Sequence, residues 1–518
     1  MPVSVVIKKN TYFDSVSLMS ISTQANNLAE INRAFVAMGT EINKNLLTEM
    51  GILTEEIESA TSGDLLIVLD GVSESGNSAA MDAVELLLMP SASGSSLTAA
   101  IPCSTLVSAK QQHDQSNLAL ISVHGMYAVR EARQALQLGL NVMLFSDNIS
   151  VEDEVSLKRQ AHEQGLLMMG PDCGTAIIND VVLGFGNRVR RGGVGIVAAS
   201  GTGGQEVSVR VHQFGGGISR LIGTGGRDLS EAVGGIMMLD ALDMLAQDPD
   251  TQTIVLISKP PATAVAEKII ARARAITKPV VVWFCGLETP PVSEPGVSFA
   301  TTSKQAALSA VLACGIDEQQ LELHPLNWPL IHEMRALLAG ADRYLRGLFC
   351  GGTLCDEAMF LAMEAFPDVY SNIHPQPAFR LQARDPSRCH TFLDFGDDAF
   401  TNGKPHPMID PSGRIQRLLQ EARDPQVGVI LMDFILGFGA HPDPVGVMLP
   451  AIQEAQAIAA GEGRPLVIVG YVLGTDQDTQ MLHQQCEKLT AAGVIWASSS
   501  TNAGLLAREF VNQAEVNV

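Results

Sequence analysis

The sequence predicts an α/β protein of several domains built on mostly parallel sheets, and three observations carry that prediction. At 518 residues the chain is too long for one core, since domains typically hold about 100–200 residues. It is 46% hydrophobic but only 5% aromatic and contains 47 glycines, which favours parallel sheets with Gly-rich turns over β-sandwiches. The third observation is a rhythm: a short apolar run, a turn rich in Gly, Ser or Asp, then an amphipathic helix, repeated as in βαβ units.

Residues 1–115 hold few such units. Strands fit at 3–7 and 65–70, and the small-residue stretch 91–99 fits a loop. From residue 117 the rhythm is regular: strand 118–123, helix 128–138, strand 141–145, helix 152–164, strand 166–169, and a closing turn at Gly170-Pro171-Asp172-Cys173-Gly174. Residues 194–312 make a second unit and 346–518 a third. Between them "HPLNWPLI" (324–331) carries prolines that interrupt a helix, which places a linker over 316–345.

The second and third units resemble one another. "LDMLAQDPDTQTIVLISKP" echoes "IQRLLQEARDPQVGVILMDF", "ITKPVVVWFCG" echoes "EGRPLVIVGYVLG", and "TTSKQAALSAVL" echoes "SSSTNAGLLARE". Several aligned elements in the same order point to a duplicated domain.

A formal charge of −22 without a basic stripe argues against nucleic-acid partners. Apolar runs stop after about five residues, far short of a membrane span, and the N-terminus lacks the apolar stretch of a signal peptide. The eight cysteines show neither CxxC nor other metal spacing, so no metal site is expected and reduced thiols in a cytoplasmic protein are.

Phosphate chemistry is expected at Ser200, Gly201, Thr202, Gly203 and Gly204, between strand 194–199 and helix 206–214. Such a turn points backbone N–H groups outward at the positive end of a helix dipole. Gly225 and Gly226 end the next strand beside Arg227, a side chain able to clamp a phosphate or carboxylate. Gly351, Gly352 and Thr353 repeat the arrangement in the third unit. The loop 402–411 presents Lys404 and His406, and the loop 437–444 brings His441. His124, at a strand end, is a further candidate acid, base or donor. Cys173 has the chemistry of a nucleophile but no partner nearby in sequence.

"GLLMMGPDCGTAI" (165–177), "GIVAASGTGGQE" (195–206) and "DPDTQTIVLISKPPA" (248–262) resemble the α subunit of succinyl-CoA synthetase. "FLDFGDDA" (392–399), "VILMDFILGFGAHPDP" (429–444) and "LTAAGVIWASSST" (489–501) resemble the ligase domain of its β subunit. With "KNTYFDSVSLM" (9–19) at the start, the order of units is similar to that of the FdrA family over essentially the whole chain. The resemblance implies a CoA-binding-like Rossmann domain over 1–190 and two flavodoxin-like, doubly wound domains of succinyl-CoA synthetase type over 191–315 and 346–518.

Three departures from that ancestry bear on function. The place of the Gly-rich CoA turn reads "IKKNTYFDSVS", without glycine, so no CoA cofactor is expected. The phosphohistidine segment is replaced by "GLETPPVSEPGV", without histidine, and an ATP-grasp domain has no room. The resemblance therefore implies a subunit of a hetero-oligomeric transferase that takes a ready-made carbamoyl phosphate, of the oxamate carbamoyltransferase type. Arg227, Lys404 and His406 would be catalytic. The alternatives are an ADP-forming acyl-CoA ligase completed by a partner chain, and a non-catalytic binding or regulatory subunit.

Overall fold

The computed structural model describes residues 3–9, 11, 13, 15–26, 28, 30–88, 103–287, 292–339, 343–383, 385–401 and 405–512. The expected loop 91–99 and Lys404 lie outside these residues. The chain divides into two compact units, Met1–Asp114 with Thr401–Pro405, and Gln115–Phe400 with His406–Val518.

In the first unit, Leu65–Gly71 runs between Val3–Lys8 and Ile31–Met38, antiparallel to both. Every residue of this central strand is buried, because apolar side chains cover both faces. Leu18, Ile21 and Val84 lie on one side with Leu65 and Ile67, and Leu47 and Ile57 on the other with Leu66 and Val68. The first 190 residues are thus not one CoA-binding-like body. This antiparallel sheet belongs to the first unit, and the second unit opens with a separate parallel sheet of Leu118–Ile121, Asn141–Leu144 and Met168–Met169.

The second unit also holds the duplication. One sheet runs, in spatial order, Val297–Phe299, Val280–Phe284, Thr253–Ser258, Arg191–Ala199, Ile218–Gly223, and then the hairpin Thr175–Ile178 and Val181–Gly184. The other runs Val369–Ser371, His390–Asp394, Tyr344–Phe349, Val427–Ile435, Val467–Leu473, Ile495–Ala497. In both, the first strand of the copy sits centrally with the later ones on its flanks, and these strands pair in parallel. The first copy thus has the flavodoxin-like order, and the second has it with Val369–Ser371 added as an edge strand.

A reciprocal contact joins the copies. Glu206, on helix Gly201–Gln213, accepts from the amide of Ser500 at the start of helix Ser500–Val511 (3.3 Å). Glu357, on helix Gly352–Met363, accepts from the amide of Ser303 at the start of helix Ser303–Ala313 (2.7 Å). Each copy's first helix thus supplies a carboxylate to the positive end of the other's last helix. The segments that echo each other in sequence, 301–312 and 498–509, are these receiving helix starts.

Two local expectations change. The linker contains a helix, Trp328–Leu338, capped by Asn327. Pro329 falls in its first turn, where a missing N–H costs nothing. The Gly-rich segment after Ala199 is also helix, from Gly201 onward, with Ser200 as its N-cap accepting from Gly203 (3.0 Å).

Candidate functional site

The starts of helices Gly201–Gln213 and Gly352–Met363 meet. The Ser200 and Thr353 hydroxyls share a hydrogen bond, and the Thr353 amide donates to Thr202 Oγ1 (3.2 Å). Gly201, Thr202 and Gly352 keep some exposure, whereas Gly203, Gly204, Gly351 and Thr353 are buried. Among the described residues no acceptor takes the amides of Gly201, Thr202 or Gly352. Buried Gly203 packs against Ile257 and Thr353, so its lack of a side chain serves helix-to-helix approach.

Beside Gly352 stands a residue that the sequence analysis passed over. Lys259 follows strand Thr253–Ser258 directly, and a β-carbon on Gly352 would lie 3.1 Å from its ammonium and 2.6 Å from Asp394 Oδ2. The ammonium also faces Asp356 Oδ2 at 3.8 Å. Burial alone would lower its pKa, but Asp356, Asp394 and Asp172 outweigh that and hold it above the ordinary lysine value. Lys259 is therefore a fixed cation, not an amine nucleophile.

The carboxylates around it are shifted the other way. Burial pushes Asp394 up to about 7, against the pull of Lys259 and of the Gly396 amide. The surrounding protein desolvates Asp172 enough to lift it to about 6, with Lys259 opposing, although the residue itself stays exposed and is thus less enclosed than Asp394. Burial also raises Asp356, whose Oδ2 has no hydrogen-bond partner. The cleft thus combines one permanent cation with carboxyl groups that exchange protons near neutrality, an arrangement suited to holding an anion and moving a proton.

The expected catalytic residues fare differently. Arg227 donates through Nε to buried Glu154 (2.9 Å) and through Nη2 to the Ile149 carbonyl (2.9 Å), so it is tied to helix Val151–Gln164 rather than free to clamp a ligand. Glu154 and Asp228 also hold the fully buried ammonium of Lys158, each at 2.8 Å. Gly225 turns with φ +87° and packs on the Pro171 carbonyl, and Gly226 lies near Asp172, so this loop positions Asp172. His406 does reach the cleft: its Nε2 and Asp394 Oδ1 flank Gly396. Burial, helped by Arg414, lowers it to about 4, so it is a neutral imidazole at pH 7 and not a cation.

Gly351 is not an open phosphate site. The amides of Cys350 and Gly351 each donate to Asp433 at 2.8 Å, and Arg414 pairs with the same carboxylate at 3.0 Å. Cys173 is buried and its thiol is pushed up to about 12, which denies it a thiolate at neutral pH. His124 caps helix Gly125–Gln137, accepting from Met126 (3.3 Å), and His441 Nδ1 accepts from Asp443 (3.0 Å); both serve local turns. Among the described residues no three His, Cys, Asp or Glu side chains gather as a metal site, and no helix is long and apolar enough to cross a membrane.

Asp394 ends strand His390–Asp394 just ahead of Gly396, and an acid at a strand end beside a Gly turn is the signal the sequence held for this site. Lys259 announced itself only as a lysine at the end of a strand parallel to the one leading into Ser200.

Three family models match: a CoA-ligase over 348–510, a CoA binding domain over 189–286, and an AllF, heavy metal-associated domain over 1–101. The CoA-binding match thus falls on the first copy, downstream of the 1–190 expected from sequence. Residues 1–101 contain no cysteine and no histidine, so they lack the thiolate and imidazole ligands that heavy metals take. The α subunit of the ADP-forming succinate–CoA ligase of Aquifex aeolicus is 27% identical over 202 residues, covering 38% of this chain and 65% of that protein. The dinucleotide forming acetyl-coenzyme A synthetase 1 of Ca. Korarchaeum cryptofilum superposes with a TM-score of 0.30 at 16% identity, over 80% of this chain and 86% of that one. The uncharacterized protein YahF of Escherichia coli (strain K12) is 62% identical over 515 residues, 99% of this chain and 100% of its own. The chain therefore belongs to the family of YahF, and within it carries the regions matched by the CoA-ligase and CoA binding domain models.

Proposed function

We propose that the cleft carries out acyl-phosphate chemistry without a phosphohistidine: an acyl group, carbamoyl in the reading that the FdrA resemblance implies, passes between phosphate and a nitrogen acceptor. The chain would act as one subunit of a larger complex. The observation that supports this most is Lys259, a permanent cation beside the meeting starts of two helices, among carboxyls poised to exchange protons. Phosphate oxygens would lie on Lys259 and on the amides of Gly201, Thr202 and Gly352. As phosphate attacks the carbonyl carbon, the carbon–nitrogen bond breaks and protonated Asp394 returns a proton to the leaving nitrogen. The reverse direction uses ionised Asp394 as base.

Exchange of labelled phosphate into carbamoyl phosphate, in the complex with its partner subunits and with oxamate present as the nitrogen acceptor, tests this. Lys259→Met should slow exchange by about 100- to 1000-fold with an unchanged circular dichroism spectrum. Undiminished exchange in the variant would remove the cleft from the chemistry.

A second reading, an ADP-forming acyl-CoA ligase completed by a partner, is favoured by the matches to CoA-ligase and CoA binding domain models. It requires CoA to bind, and the proposal expects CoA affinity no better than millimolar, about 4 kcal/mol. Micromolar CoA binding in a calorimetric titration would select the ligase.

A further inference from the structure

A cleft of about 650 Å³ opens in the second unit between helix Gly125–Gln137 and the loop and first turn leading into helix Val151–Gln164. Its volume is that of a small-molecule site, for which about 300–1,000 Å³ is usual. Two guanidiniums, Arg130 and Arg133, enter it one helical turn apart, so they project on the same side. In a chain of net charge −22 this pairing of cations is locally contrary to the whole. Arg130 makes no ion pair or hydrogen bond among the described residues, and Arg133 makes one, to Ser156 Oγ at 3.3 Å.

The one acid lining the cleft offsets one of the two positive charges and leaves the other. Asp153 is engaged with Ser150, accepting from its hydroxyl (2.9 Å) while its own amide donates back (3.1 Å) to form the helix cap. Gln134 and Asn148 add amide donors and acceptors, and Met126, at 74% exposure, is an apolar flank.

We propose that this cleft is a binding site for a small organic anion, its carboxylate or phosphate held by Arg130 and Arg133 and its polar body by the flanking amides. Planar guanidinium forks suit either oxyanion. This site is separate from the Lys259 cleft and stands whether or not acyl-phosphate chemistry occurs there.

The test uses the full chain at fixed ionic strength, with succinate, AMP, glucose 6-phosphate and inorganic phosphate as probes. Thermal unfolding and calorimetric titration should show saturable binding of at least one organic anion. Arg130→Gln, which removes no hydrogen bond or ion pair among the described residues, should weaken it at least tenfold, and R130Q/R133Q should abolish it, while Lys259→Met leaves it unchanged. Saturation by a carboxylate but not a phosphate, or the reverse, identifies the oxyanion. The proposal is overturned if no organic anion saturates, if Arg130→Gln binds as wild type does, or if Lys259→Met removes the binding.

Discussion

The two copies of the flavodoxin-like fold hold the turn before their first helix by different chemistry. In the first copy the helix start at Gly201 is capped by the Ser200 hydroxyl, and the neighbouring strand Thr253–Ser258 carries no acid. In the second, the strand Val427–Ile435 sends the Asp433 carboxylate onto the amides of Cys350 and Gly351, with Arg414 bound behind it. In the second copy the two amides ahead of the helix are thus taken from inside, while among the described residues the Gly352 amide stays open as that of Gly201 does in the first. Duplication preserves the open helix start; a single acid residue decides how the turn before it is held.

The largest effect that can break this comparison is on stability. Asp433 is fully buried, and Arg414 is almost so. Asp433→Ala should destabilise the second unit by about 3–5 kcal/mol, because it strands a buried guanidinium and two amides. Ser200→Ala, at the equivalent turn of the first copy, should cost about 1 kcal/mol, the worth of an N-cap. Urea unfolding of both variants checks this, and equal losses would mean that the two turns are chemically alike.

Much of this architecture was legible in the sequence, because apolar runs and Gly turns are local signals and the echoed segments survive in order. The site was less so. Gly-rich turns draw attention to nearby basic residues, which is why Arg227 and His406 stood out. Burial, which sequence does not display, ties Arg227 to Glu154 and keeps His406 neutral. It also lifts Asp394 into the neutral range, so the group best placed for proton transfer is an acid that the sequence alone does not set apart from surface charge. Lys259 and Asp394 are 135 residues apart and come together through the interface between copies.

A second pair of variants sharpens the contrast at the helix starts themselves. A β-carbon at Gly352 would lie 2.6 Å from Asp394 Oδ2, and one at Gly201 no nearer than 3.4 Å to anything, Thr175 Oγ1 being closest. Gly352→Ala should therefore weaken thermal protection by phosphate about tenfold, roughly 1.4 kcal/mol, and Gly201→Ala should leave it nearly unchanged. Thermal shifts across a phosphate series read both. Protection that survives Gly352→Ala would place phosphate away from Lys259.

The smallest effect is the most specific, and it lies in the pH dependence of stability. Native Asp394 keeps its proton up to about pH 7, whereas the unfolded side chain releases it near the usual 3.8. Between those values the native state binds more protons, so this group makes stability fall as pH rises from about 4 to about 7, with no further loss above. Asp172 acts in the same sense up to about 6. His406, neutral down to about 4 where the unfolded imidazole protonates near 6.5, acts oppositely and makes stability fall as pH drops through that window. The opposing slopes partly offset each other at acid pH, and other buried groups shift in the same range, so the Asp394 contribution is read from a variant rather than from the wild-type curve. Asp394→Asn keeps an acceptor for the Gly396 amide but cannot ionise. The variant should melt a few degrees above wild type at pH 8, and the gap should narrow steadily as pH falls below about 7, closing only near pH 4, where wild-type Asp394 is protonated in both the folded and unfolded states. Scanning calorimetry across pH 4–8 reads this directly. A constant difference between the two proteins would mean that Asp394 is ionised throughout and cannot serve as the proton donor of the cleft.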